Sequence, residues 1–163
     1  MVIQDDVTPT RYFMTQTLAA IKERPRNVLN LFCSRWRDMQ LALEVNAGWI
    51  EYDTICFGQA VVMPTDFVHE FIHWADAKTS ADWKMDDQRI AYWACLFGRR
   101  IYCTVPSLMQ HAKELPSTWA KRDGTTLQAY QVGDWWPDRT TFRPHQRGTK
   151  SFLETKARWL VAS

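Results

Sequence analysis

Four short apolar runs, each closed by a chain breaker or a polar cluster, constrain this chain more than any other feature. They are NVLNLFC (27–33), GWIEYD (48–53), ICFGQAVVM (55–63) and IYCTV (101–105). Each is rich in β-branched or aromatic side chains, the composition that fits a pleated, buried surface. A fifth run, the opening Met1-Val2-Ile3, breaks off at Gln4-Asp5-Asp6 and looks like the end of a buried strand.

Longer stretches with helical spacing separate these runs. Thr8-Pro9 offers an N-cap and a first helical position, so a helix is expected over 9–23, ending before Pro25. Others are expected over 64–77 and 86–98, with Gly98 as the C-terminal stop of the latter. The stretch 34–45 fits either a helix or irregular chain. A closing helix fits 152–161. Strands alternating with helices give an α/β layer structure. At 163 residues one hydrophobic core is expected. Nine Trp and eight Phe supply area for that core, or for a stacking site.

From residue 112 onward the texture changes. Residues 118–150 are rich in Gly, Pro, Thr and charge, without a clear period. This tail holds nine Lys or Arg against five Asp or Glu, about +4 by simple counting. A solvated, partly ordered arm is expected there, and a surface for an anionic substrate is the alternative. The chain therefore divides into a region 1–117 and a basic, aromatic-rich tail 118–163.

The net charge of +2 does not by itself point to a polyanionic partner. Cys33, Cys56, Cys95 and Cys103 form no CxxC pair and read as free thiols in a reducing compartment. No stretch is long and apolar enough to span a membrane, and no signal peptide is evident, so a cytoplasm is expected.

Two sets of residues carry chemistry. The first is His69-Glu70-Phe71-Ile72-His73, an HExxH pattern. In zinc peptidases it sets two histidines one turn apart, beside a glutamate base. Periodicity puts His69 and His73 on the polar side of the helix, opposite Phe67, Val68, Phe71, Ile72, Trp74 and Ala75. A third ligand would have to come from Asp76, His111 or His145, none at a diagnostic spacing. A surface helix with two solvated histidines is the expected outcome.

The second set is acidic and dispersed. Asp5-Asp6 follows the first apolar run, where hard cations and diphosphates bind beyond strand ends in α/β sheets. Asp86-Asp87 opens a helix, where acids favour the macrodipole and where a general base could sit. His111 follows IYCTVPSLMQ.

Taken in order, MVIQDDVTPTRYF, GQAVVMP and MDDQRIAYWACLFGRRIYCTVPSLMQH resemble small glycosyltransferases of the nucleotide-sugar-binding A-type fold. The nearest likeness is to bacteriophage and bacterial enzymes related to glycosyltransferase family 25. The resemblance covers residues 1–117 and implies a Rossmann-like α/β fold that lacks its N-terminal, base-binding half. It implies Mn²⁺ or Mg²⁺ held by Asp6 and His111, Asp5 near the ribose and phosphates, and Asp86 or Asp87 as the acceptor-side acid. The implied donor is a nucleotide sugar. The implied acceptor is a hydroxyl on a modified DNA base, a glycan or a protein, in a host cytoplasm for a phage enzyme. A partner chain or second copy is expected to cover the open sheet edge. Gln4 stands where the family often has an acid. A non-catalytic accessory domain and the zinc peptidase are the alternatives.

Overall fold

The computed structural model describes residues 1–54, 58–112, 129, 132–135, 137, 139–144 and 149–161. The five apolar runs supply strands of one mixed sheet, β1 (Val2–Ile3), β3 (Val28–Asn30), β4 (Ala47–Tyr52), β5 (Ala60–Val62) and β6 (Ile101–Thr104), and the tail adds β8 (Thr140–Phe142). Their order is β1-β5-β3-β6-β4-β8. Strand β5 runs antiparallel to both β1 and β3, and β3 runs parallel to β6. Hence β1, β3 and β6 share one direction, and their carboxyl ends share one edge of the sheet. Strand β4 opposes β6 and carries β8 parallel to it.

Helices cover the sheet: α1 (Phe13–Glu23), α2 (Trp36–Glu44), α3 (Thr65–Lys78), α4 (Asp86–Leu96) and α5 (Thr149–Lys156), the last followed by a 3₁₀ turn at Ala157–Trp159. The ambiguous stretch 34–45 is thus helical. Gly98 ends α4 with φ +61°, a conformation that side chains disfavour.

Strand alternation sorts the core. Trp49, Leu29, Leu31, Ala60 and Val62 pack with Phe13 and Ala20 of α1. Val28, Val61 and Ile101 pack with Phe67 of α3 and Trp93 and Ala94 of α4. Ile50, Tyr52 and Cys103 pack with Met39 and Ala42 of α2. Trp49, Trp83, Trp93 and Trp135 are all buried and serve as core, while Trp36 is 60% exposed. Cys33, Cys95 and Cys103 form no disulfide among the described residues, and burial pushes the Cys95 thiol up to about 11.

Three expectations need correction. The opening run is not a buried strand end: β1 is an edge strand, and Val2 is 68% exposed. With only two residues and, among the described residues, only β5 beside it, its side chains lack a covering layer. Thr8-Pro9 does not start a helix. Val7–Pro9 is a strand, β2, paired antiparallel with β7 (Met109–His111), and α1 begins at Phe13 after Tyr12. The extended conformation that proline permits was satisfied by a distant partner strand rather than by a helix. Nor is the tail a solvated arm throughout. Trp135 is 1% exposed, donates its indole N–H to the Gly48 carbonyl at 2.7 Å and packs edge-on against Trp49. Strand β8 extends the main sheet.

Candidate functional site

The short β2–β7 ribbon builds the site. Its register sets Val7 opposite His111, and the amide of Ala112 donates to the Asp6 carbonyl at 2.8 Å. The turn after β1 is thereby pinned against the end of β7. Residues more than a hundred positions apart become neighbours: His111 Nε2 lies 2.9 Å from Asp6 Oδ2.

His111 is buried, and its Nδ1 lies 3.2 Å from the Ala112 carbonyl. An Nδ1–H donated to that carbonyl leaves the role of Nε2 to whatever stands beside Asp6. A proton on Nε2 makes the contact a hydrogen bond. The other carboxylate oxygen, Asp6 Oδ1, is buried with no partner among the described residues. Asp5, beside it, is exposed.

The second acid reaches this corner through β5. The Gln4 amide donates to the Gln59 carbonyl at 2.9 Å. One residue earlier, Gly58 meets α4: a Cβ placed on it would stand 3.1 Å from Asp87 Cβ. The tight link from α4 to β6 returns the chain antiparallel, which sets the amino end of α4 at the carboxyl edge of β6. Asp87 therefore faces the β1–β5 corner and Asp86 does not. Asp86 is 83% exposed, with Arg89 3.6 Å away. Burial holds the Asp87 carboxyl above its ordinary range, against the opposing bond from the Gln88 amide to its Oδ1 at 2.8 Å.

The structure thus brings Asp6 and His111 into direct contact, while Asp87 packs against Gly58, the neighbour of Gln59, whose carbonyl binds the Gln4 amide. Sequence reading missed Gln59, which is nearly buried and whose Oε1 has no partner among the described residues. Glutamine does not titrate, and the stretch GQAVVMP entered the resemblance with no role for it. Its one legible signal was a polar residue at the head of the apolar run QAVVM.

Asp6 and His111, 2.9 Å apart and in hydrogen-bond contact, are the residues here that could hold a divalent cation. Adjacent corners of an octahedron with bonds of ~2.1 Å lie about 3.0 Å apart, close to the observed nitrogen–oxygen spacing. Among the described residues no cluster of three or more His, Cys, Asp or Glu forms a closed cage. One carboxylate and one imidazole make an open pair, unlike the four-ligand cage of structural zinc.

The HEFIH segment lies in α3, as expected, with His69 and His73 exposed. Glu70 is engaged by Arg99 at 3.0 Å, and Arg99 also sits over the Phe67 ring. Ile72, expected on the apolar face, is 46% exposed. Asp76 is exposed, His111 lies in β7 beside Asp6, and His145 lies outside the described residues.

No protein-family model, curated protein or solved structure matches this chain. No helix among the described residues is long and apolar enough to cross a membrane.

Proposed function

We propose that this chain is a metal-dependent glycosyltransferase, built on part of an A-type nucleotide-sugar fold, that moves a sugar from a nucleotide-sugar donor to an acceptor hydroxyl. The observation that carries the reading is the Asp6–His111 pair at 2.9 Å, with a second Asp6 oxygen buried and unpartnered. It stands beyond the carboxyl end of β1, the kind of position at which open α/β sheets bind ligands, although the described neighbour of β1 is antiparallel.

Asp6 and His111 would hold Mn²⁺ or Mg²⁺. When bound, the ion neutralises charge on the leaving nucleoside diphosphate. Asp5, exposed at the same turn, faces the ribose and phosphates. Asp87 accepts the proton of the acceptor hydroxyl. Its burial raises its proton affinity toward the working pH, which favours a general base. Asp86 is too exposed for that role and screens Arg89. A modified DNA base, a glycan and a protein hydroxyl are the acceptor classes the resemblance offers.

A second reading, a non-catalytic domain completed by another chain, is favoured by the β1 edge. Met1, Val2 and Ile3 are all exposed there.

A thermal-shift titration with Mn²⁺, with and without UDP, separates the two. A ligand that binds only the folded state raises its melting temperature. The transferase requires a rise that needs both metal and nucleotide and disappears in Asp6→Ala. No rise in a folded sample refutes it and leaves the accessory domain.

A further inference from the structure

We propose that Cys33 and Cys103 are a dithiol that hydrogen peroxide converts into a disulfide, tying the loop between β3 and α2 to β6. Neither the acidic motifs nor the resemblance gives these thiols a role, and their chemistry is independent of the Asp6–His111 pair. Both are fully buried, in one packed cluster with Ile50, Tyr52 and Met39.

Strand geometry brings the two together. Cys103 stands opposite Ile50 in the β4–β6 pairing, and Tyr52 lies two residues further along β4, on the same face. After β3 the Phe32 amide turns back to Asn30 Oδ1 at 3.2 Å, and the Cys33 amide donates to Ser107 Oγ at 3.0 Å. The bend delivers Cys33 to that face of the sheet. Cys33 Sγ lies 3.8 Å from the Tyr52 hydroxyl and in hydrogen-bond contact with the Cys103 side chain.

The surroundings favour a nucleophilic sulfur at Cys33. The Tyr52 hydroxyl donates to Asp38 Oδ2 at 2.8 Å. The Arg35 guanidinium lies 4.0 Å from the same oxygen and 4.9 Å from the centre of the Tyr52 ring. A chain of polar groups thus runs from exposed Arg35 to the buried thiol. The Cys103 side chain, then the Arg35 amide and the Tyr52 hydroxyl, hold the Cys33 thiol below its ordinary value against the opposing effect of burial. Cys95 is the contrast. Its thiol donates to the Asp53 carbonyl at 2.7 Å, and burial raises it to about 11, which makes it a poor nucleophile.

One oxidant balances the chemistry. The Cys33 thiolate attacks one oxygen of hydrogen peroxide, the O–O bond breaks, and hydroxide leaves with the thiol's proton as water. The Cys103 sulfur then attacks the sulfenic sulfur. An S–S bond forms, the S–O bond breaks, and a second water carries off the Cys103 proton. Two sulfurs are oxidised and two peroxide oxygens are reduced. Full burial selects a small oxidant of this kind over a bulky disulfide.

The test treats the full, reduced chain with hydrogen peroxide. Remaining thiols are blocked with N-ethylmaleimide as the sample is denatured, and intact mass and non-reduced peptides are read. The expected result is a loss of about 2 Da, two hydrogens, two of the four cysteines unblocked by the maleimide, and a linked peptide pair that joins Cys33 to Cys103. In Cys103→Ser the expected product is a Cys33 sulfenic acid that dimedone labels. If that variant fails to fold, the peptide map of the unaltered chain still decides. Met14, 55% exposed, reports by its sulfoxide that peroxide has acted. Oxidised Met14 with Cys33 and Cys103 both still reduced overturns the proposal. So does a disulfide that joins either of them to Cys56 or Cys95.

Discussion

Two regions of this molecule look like metal sites, and they differ in what surrounds the ligands. In α3 the pattern is contiguous in sequence, yet His69 and His73 point to solvent and Glu70 is neutralised by Arg99. At the sheet edge nothing is contiguous, yet Asp6 meets His111 and one carboxylate oxygen is left buried without a partner. Burial with unmet hydrogen-bonding capacity, not spacing, separates a site from a surface. Glu51 sharpens the point. It is as buried as Gln59, but Tyr102, Arg143 and Arg100 surround its carboxylate, so it holds the sheet together and has nothing left to offer a ligand.

The comparison breaks first at the acids. Asp87→Asn should lower the turnover of nucleotide sugar by roughly 10²–10⁴-fold, the range for losing a general base. Asp86→Asn should leave it within a fewfold. Equal losses in the two would remove the distinction drawn from burial. Asp6→Ala should abolish the Mn²⁺- and UDP-dependent thermal shift, while His69→Ala and His73→Ala leave it intact. Tightly held zinc that disappears in His73→Ala would reverse the assignment of the two regions.

Asp87 also has a stability signature. Its folded-state pKa is raised, so between the unfolded and folded values the native chain binds more protons than the unfolded one. Its ionisation therefore costs stability as pH rises through the folded pKa. Asp87→Asn should melt higher than the unaltered chain at pH 7, and the gap should close as pH falls toward the ordinary Asp range near ~3.9. A gap that widens in acid would contradict the burial argument.

Smaller effects test the scaffold. Trp135→Ala should cost roughly 3–5 kcal/mol in denaturant unfolding, as for other buried large aromatics. Gly58→Ala should push Asp87 aside by a few tenths of an ångström. It should lower kcat by about tenfold with little change in melting temperature, since small misplacements at a reacting group are costly. Glu70→Ala should fall within about 1 kcal/mol of the unaltered chain, the range of a partly exposed ion pair.

The alternation of apolar runs and helices was legible because strand and helix periods are local properties. Strands β3 to β6 and helices α3 and α4 fall within a few residues of where their sequences put them. The β2–β7 ribbon was not legible. Val7-Thr8-Pro9 carries a helix-start signal, and only pairing with Met109–His111 makes it a strand. The candidate site depended on that ribbon. Asp5, Asp6, Asp87 and His111 could be named singly, but the contact between Asp6 and His111 is a tertiary fact. The choice between Asp86 and Asp87 likewise turned on which side of α4 meets Gly58.

Trp135 has a consequence for biosynthesis. A chain emerging from the ribosome folds from its amino end, and most of this sheet can pair early. The indole that fills the space beside Trp49 comes from near the carboxyl end. Until it is delivered, Trp49 lacks its edge-on neighbour and part of the packing on this face is missing. Packing of this layer is therefore completed only after Trp135 has emerged, and a nascent chain stalled before Trp135 should present as a chaperone client.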